Sequence, residues 1–160
     1  TRSYRYVLLN DAVRPAADQG RVGWFHSPLD VDTMKTAAVN LLGEHDFTAF
    51  RSAECQARSP VRTMHAVSVV ANGPYVFFEF TANAFLHHMI RNIVGSLVYV
   101  GKGKHPPQWI AELLQGRDRT RAAPTFDASG LYLLNVEYDS KWGLTAPRLR
   151  GPRLAHATVE

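Results

Sequence analysis

The dipeptide Asn72-Gly73 constrains the fold of this chain more than any other feature. It separates two β-rich runs, residues 61–70 and 75–81. Asn and Gly both tolerate positive φ, so a tight hairpin, and with it an antiparallel strand pair, is the expected outcome. Pro74 opens the second run, where a missing N–H is tolerated. Along that run Val76, Phe78 and Phe80 share one face, and Phe77 and Glu79 share the other. An apolar sheet face has to be covered by another layer.

Helical patterns elsewhere in the chain supply that cover. Over residues 85–100, Phe85, Leu86, Met89, Ile90, Ile93, Val94, Leu97 and Val98 form a wide apolar stripe, which predicts a well-buried helix. Residues 29–42 predict a second helix, with Asp30 or Asp32 as its cap, Gly43 just past its end, and Met34, Ala37, Ala38, Leu41 and Leu42 on one face. A third follows Pro106-Pro107 over residues 108–114 and ends at Gly116. Residues 3–10 and 131–138 read as strands, and residues 22–25 as a short extended piece. Residues 13–20 read as loop, and residues 46–51 are too short and mixed to assign. Strand, helix, hairpin, two helices and a strand show no βαβα alternation. The expected fold is therefore α+β, a mainly antiparallel sheet with helices on one face and the other face free for a ligand. Residues 1–138 would form the domain; residues 139–160, with Pro147, Pro152 and three Arg, would form an irregular arm.

A chain of 160 residues, 46% hydrophobic, suits one compact domain. The net charge is +4 and 14 of the 18 cations are Arg, a fork of donors that fits phosphate and stacks on rings. That bias suits an RNA partner, although a modest positive charge is also common in proteins that never meet nucleic acid. Cys55 is the single cysteine, so no internal disulfide forms. No apolar run reaches membrane-spanning length, and no P-loop or GxGxxG motif points to a nucleotide cofactor. A cytoplasmic setting is expected. The start at Thr1-Arg2, without Met, is expected to lie inside a longer protein.

Four groups of residues are candidates for chemistry. Arg91 lies at the edge of the apolar stripe, with Ala84, His88 and Gly95 on its side of the expected helix. Gly95 inside a helix costs about 1 kcal/mol relative to Ala, which implies that something approaches closely there. A cation at a core edge calls for an anion. Two readings stand: a structural salt bridge within the chain, or a site for a catalytic carboxylate or a phosphate. His87 and His88 on successive helical positions would point about 100° apart and could not readily share a metal ion. Tyr4 and Tyr6 share a strand face near Arg2 and Arg5, and serve either as core aromatics or as a platform for a base. Cys55 has no partner that would make it a nucleophile.

Several stretches taken together resemble one family. They are Tyr4-Arg5-Tyr6; the run from Leu41-Leu42-Gly43-Glu44 through Phe50-Arg51; Arg58-Ser59-Pro60-Val61-Arg62; Phe85-Leu86-His87-His88-Met89-Ile90-Arg91-Asn92-Ile93-Val94-Gly95; and Gly130-Leu131-Tyr132-Leu133. In this order they are similar to the C-terminal half of the tRNA pseudouridine synthase A (TruA) family. The resemblance implies isomerisation of uridine to pseudouridine in the tRNA anticodon stem-loop, without a cofactor and by a homodimer. The uracil is detached from C1′, rotated and rejoined through C5, and the target base is flipped out of its stack. The family's essential aspartate lies in a Gly-Arg-Thr-Asp motif, which this sequence does not contain; it is expected upstream of Thr1. Carried over by the resemblance, Tyr4 packs on the target base and is a candidate to handle the C5 proton. Arg91 pairs with the catalytic aspartate, and Leu131 lines the pocket.

Overall fold

The computed structural model describes residues 1–143. Six strands form one open mixed sheet: β1 (Arg2–Asn10), β2 (Gly23–Phe25), β3 (Gly43–Asp46), β4 (Val61–Asn72), β5 (Tyr75–Ala82) and β6 (Leu131–Val136). Three helices accompany them: α1 (Val31–Val39), α2 (Met89–Gly101) and α3 (Trp109–Gly116). The sheet order is β2-β1-β5-β4-β3, with β6 pairing the first half of β1 on the same side as β2. Every pairing is antiparallel except β1 with β2. The expected α+β class, with its mainly antiparallel sheet, holds.

The hairpin turns where the dipeptide placed it. Gly73 has φ +56, and β4 and β5 pair from Asn72–Tyr75 down to Met64–Ala82. Strand alternation sets two layers. Tyr6, Leu8, Val76, Phe78 and Phe80 point to the helical side and pack with Met34, Ile93, Leu97 and Ile110 in one core. Val7, Leu9 and Tyr75 point to the opposite side and form a smaller cluster with Val22, against which Trp24, Phe77 and Tyr132 pack. The loop before β2 folds over that second side, where the Tyr75 hydroxyl bonds the buried Asp18 carboxylate. This side is therefore less open than the bare face the strand pattern implied.

Asp30 is the cap of α1, its carboxylate accepting from Thr33 N at 3.1 Å. Gly43 begins β3 with φ +93. Residues 46–51, unassigned from sequence, complete β3 and make a 3-10 turn, Thr48–Phe50, whose Phe50 is fully buried. The final strand stops at Val136, short of residue 138. Of the arm expected over residues 139–160, a 3-10 turn at Ser140–Trp142 is described and residues 144–160 lie outside the described residues. Among the described residues no helix is long and apolar enough to cross a membrane.

One boundary differs in a way that shapes the site. The apolar stripe predicted a helix from residue 85, but α2 starts at Met89. Phe85 and Leu86 are apolar for another reason: Phe85 meets Tyr4 edge-on, and Leu86 is buried in the core. His88, preceding the first helical residue, takes a left-handed backbone at φ +60. Ala84 and His88 therefore do not share a helical face with Arg91.

Candidate active site

The first turn of α2, the segment before it and the facing ends of β1 and β6 enclose a cleft of about 320 Å³. Its walls include Arg2 and Tyr4 from β1, His88 and Arg91 from the start of α2, and Leu131 from β6. The structure thus brings Tyr4, Arg91 and Leu131, three residues separated widely in sequence, to one cavity. They meet on the helix-bearing side, at an end of the sheet, rather than on the opposite face.

Each side chain arrives by a local cause. Tyr4 is held by β1 between Phe80 of β5 and Leu133 of β6 in the sheet register. Its ring stands edge-on to Phe85, with centroids 5.2 Å apart and planes at 85°. Leu131 opens β6 immediately after the turn Ala128–Gly130 and pairs with Tyr6. Tyr6, next on the same face as Tyr4, has another fate. It is fully buried, packs edge-on with Phe78 and Phe126, and donates its hydroxyl to the Asp127 carbonyl. Burial pushes its phenol well above the ordinary range, with the Asp127 charge adding to the effect. Tyr6 belongs to the core, while Tyr4 lines the cleft.

Arg91 lies in the first turn of α2, half-buried. Its Nε donates to the Phe126 carbonyl at 2.7 Å, while Phe126 N donates to the Arg91 carbonyl at 3.2 Å. Among the described residues no carboxylate comes within 4.0 Å of its guanidinium; the ion pairs are Arg5–Glu79, Lys35–Asp32, Arg117–Asp46 and Lys141–Asp139. The salt bridge within the chain is thus not made by the described residues. Asp127 is near enough to feel the charge: its carboxyl is held below the usual range first by Ser129 and, after that, by Arg91. The positive end of the α2 dipole reinforces Arg91, so the cleft suits an anion.

His87 and His88 are not on successive helical positions. Their rings stack, centroids 3.8 Å apart and planes at 28°. Burial, then the neighbouring His87 and Arg91 charges, lowers the His88 pKa and favours the neutral imidazole. Cys55 is half-buried in the loop before β4. Its carbonyl accepts from Arg51 Nη2 at 2.9 Å, a contact that orders the loop.

Sequence reasoning missed Asn92, Arg119 and Thr125, which pack behind Arg91. Asn92 Oδ1 accepts from the Thr125 hydroxyl at 2.6 Å and from Arg119 Nη2 at 3.0 Å. A signal was present: Asn92 and Ser96, four residues apart and flanking Gly95, are polar or small within an otherwise apolar helix. The close approach foreseen at Gly95 is the Pro124 carbonyl, 2.5 Å from where a Cβ would stand.

Comparison with known proteins gives this geometry a family. A tRNA pseudouridine synthase family profile matches residues 37–139. The chain is 59% identical over 143 residues to tRNA pseudouridine synthase A of Methylobacillus flagellatus, covering 89% of this chain and 55% of that protein. It is 61% identical over 144 residues to the namesake from Aromatoleum aromaticum, covering 90% and 54%. For that of Thiobacillus denitrificans the identity is 54% over 151 residues, covering 94% and 58%. The chain spans about half the length of the curated relatives it matches. With a match across most of its length, the chain belongs to the tRNA pseudouridine synthase family.

Proposed function

We propose that this chain forms the base-holding wall of the active site of a tRNA pseudouridine synthase acting on uridines of the anticodon stem-loop. The catalytic aspartate comes from a Gly-Arg-Thr-Asp segment outside this sequence. In this reading a flipped uracil packs on the Tyr4 ring, Leu131 closes the pocket beside it, and Arg91 pairs with the aspartate. In this reading the protein acts on tRNA as a homodimer.

One observation carries the reading: an arginine at the positive end of a helix, fixed by a backbone carbonyl, lining a cleft with no carboxylate of the described residues in ion-pair contact with it. With Nε engaged by Phe126, the two terminal nitrogens remain to receive a carboxylate end-on, one hydrogen bond to each oxygen. Such a pairing keeps the carboxylate ionised and fixes its direction, as attack at C1′ requires. Tyr4, whose ring is held edge-on by Phe85, offers a flat apolar surface with a hydroxyl at its rim, suited to a base and to a proton at C5.

The test is Arg91→Lys and Arg91→Ala in the full-length protein that carries this chain. Lys replaces the fork with a point charge. Both variants are expected to lose about 3 kcal/mol of transition-state stabilisation, roughly a hundredfold in single-turnover rate. Their tRNA affinity should stay near wild type, and the loss in rate should persist per folded molecule although Arg91→Ala, which deprives the Phe126 carbonyl of its donor, melts somewhat lower. Wild-type turnover in Arg91→Lys would overturn the assignment.

A further inference from the structure

The strongest polar cluster outside the cleft lies directly behind it. Asn92 is fully buried, and its side chain uses both ends: Nδ2 donates to the Phe50 carbonyl at 2.8 Å, and Oδ1 receives Thr125 and Arg119. Among the described residues Arg119 spreads its fork over neutral acceptors, with Nη1 reaching the Ala123 carbonyl at 2.9 Å and Nη2 also reaching the Thr125 hydroxyl at 3.3 Å. Ala123 N donates to Ser96 Oγ at 3.3 Å, and Ser96 Oγ in turn donates to the Asn92 carbonyl at 3.0 Å. The stretch 123–126 is therefore strapped lengthwise along α2, from Ser96 back to Arg91. Its far end is Phe126, whose carbonyl takes Arg91 Nε.

We propose that Asn92, Arg119 and Thr125 are positioning residues for Arg91: they fix the strap, and the strap fixes the guanidinium. The inference rests on the reading of Arg91 given under Proposed function, but the mechanical link stands on contacts within this chain. A carbonyl on an unanchored loop would leave Arg91 free to rotate through its many rotamers. A carbonyl on a strap tied along α2 at Ser96, Asn92 and Arg91 leaves one geometry for the two terminal nitrogens. Gly95 allows this placement, since any side chain there would displace the Pro124 carbonyl.

Thr125 suits the test because it is exposed, so its replacement does not open the core as loss of the buried Asn92 would. In this chain labelled with ¹⁵N-arginine, the Arg91 Nε–H resonance, identified by its loss in Arg91→Lys, should exchange slowly with solvent. Thr125→Val and Arg119→Lys should each speed that exchange by about tenfold or more, and Thr125→Ser should restore it. In the full-length protein Thr125→Val should lower kcat about tenfold with KM for tRNA unchanged, again rescued by Ser. Unchanged Nε–H exchange in both Thr125→Val and Arg119→Lys, even with a lowered melting temperature, overturns the proposal. Faster exchange in Thr125→Val combined with full turnover in Arg91→Lys supports the strap and sinks the functional reading instead.

Discussion

Two tyrosines on one face of β1 show how far residue type is from role. Tyr4 and Tyr6 each face a Phe of β5 and a Leu of β6, yet Tyr4 lines the cleft and Tyr6 is sealed beneath Phe126. Tyr6→Phe should cost about 1–2 kcal/mol in urea denaturation, because the Asp127 carbonyl loses its buried donor. Tyr4→Phe, by contrast, should leave stability within about 0.5 kcal/mol of wild type. The pH response follows from the raised Tyr6 pKa. Its contribution to stability is complete below the unfolded phenol value near about 10 and is lost as pH rises from there toward the folded value. Phenolate absorbance should accordingly show a late-ionising tyrosine that Tyr6→Phe removes. In the sequence Arg91 was legible as a core-edge cation, since its place beside the apolar stripe is a matter of spacing. Its partner was not, because a carbonyl 35 residues away carries no side-chain signature.

At the scale of elements, α2 concentrates what was foreseen and what was not. The hairpin, three helices and two long strands follow from periodicity and turn chemistry, since their apolar faces meet the same core. The start of α2 does not. Phe85 and Leu86 continue the helical spacing but are buried by Tyr4 and the core from a non-helical segment. Periodicity registers burial, not backbone. The parallel pairing of β2 with β1 was likewise invisible, because residues 22–25 show too few alternations to give a direction. Gly95 offers the sharpest check of α2. By helix propensity alone Gly95→Ala would gain about 1 kcal/mol. Here the new Cβ meets the Pro124 carbonyl at 2.5 Å, a backbone atom tied down by the Ala123 and Phe126 contacts. Overpacking should dominate, with a net loss of about 1–3 kcal/mol in thermal or urea unfolding.

For the whole molecule, charge and topology matter most. A net charge of +4, carried mostly by Arg, supports phosphate contact of modest strength. The chain alone is expected to bind an anticodon stem-loop RNA weakly, with affinity falling about tenfold or more between about 50 and 200 mM salt in filter binding. It should form no pseudouridine on unmodified tRNA. Salt-indifferent binding would argue against a basic RNA-facing surface, and turnover would remove the need for an aspartate from elsewhere. The sheet also sets a timetable. β1 lies far ahead of its long partners β5 and β6 in the chain; Tyr6 waits for Asp127, 121 residues on, before its hydroxyl has an acceptor. At roughly ten residues per second that is a delay on the order of ten seconds on the ribosome. Until β5 follows, the strand carrying Tyr6, Val7, Leu8 and Leu9 has only the short β2 to pair with, and Tyr6 keeps an unpaired hydroxyl longer still, a window in which chaperone capture competes with collapse.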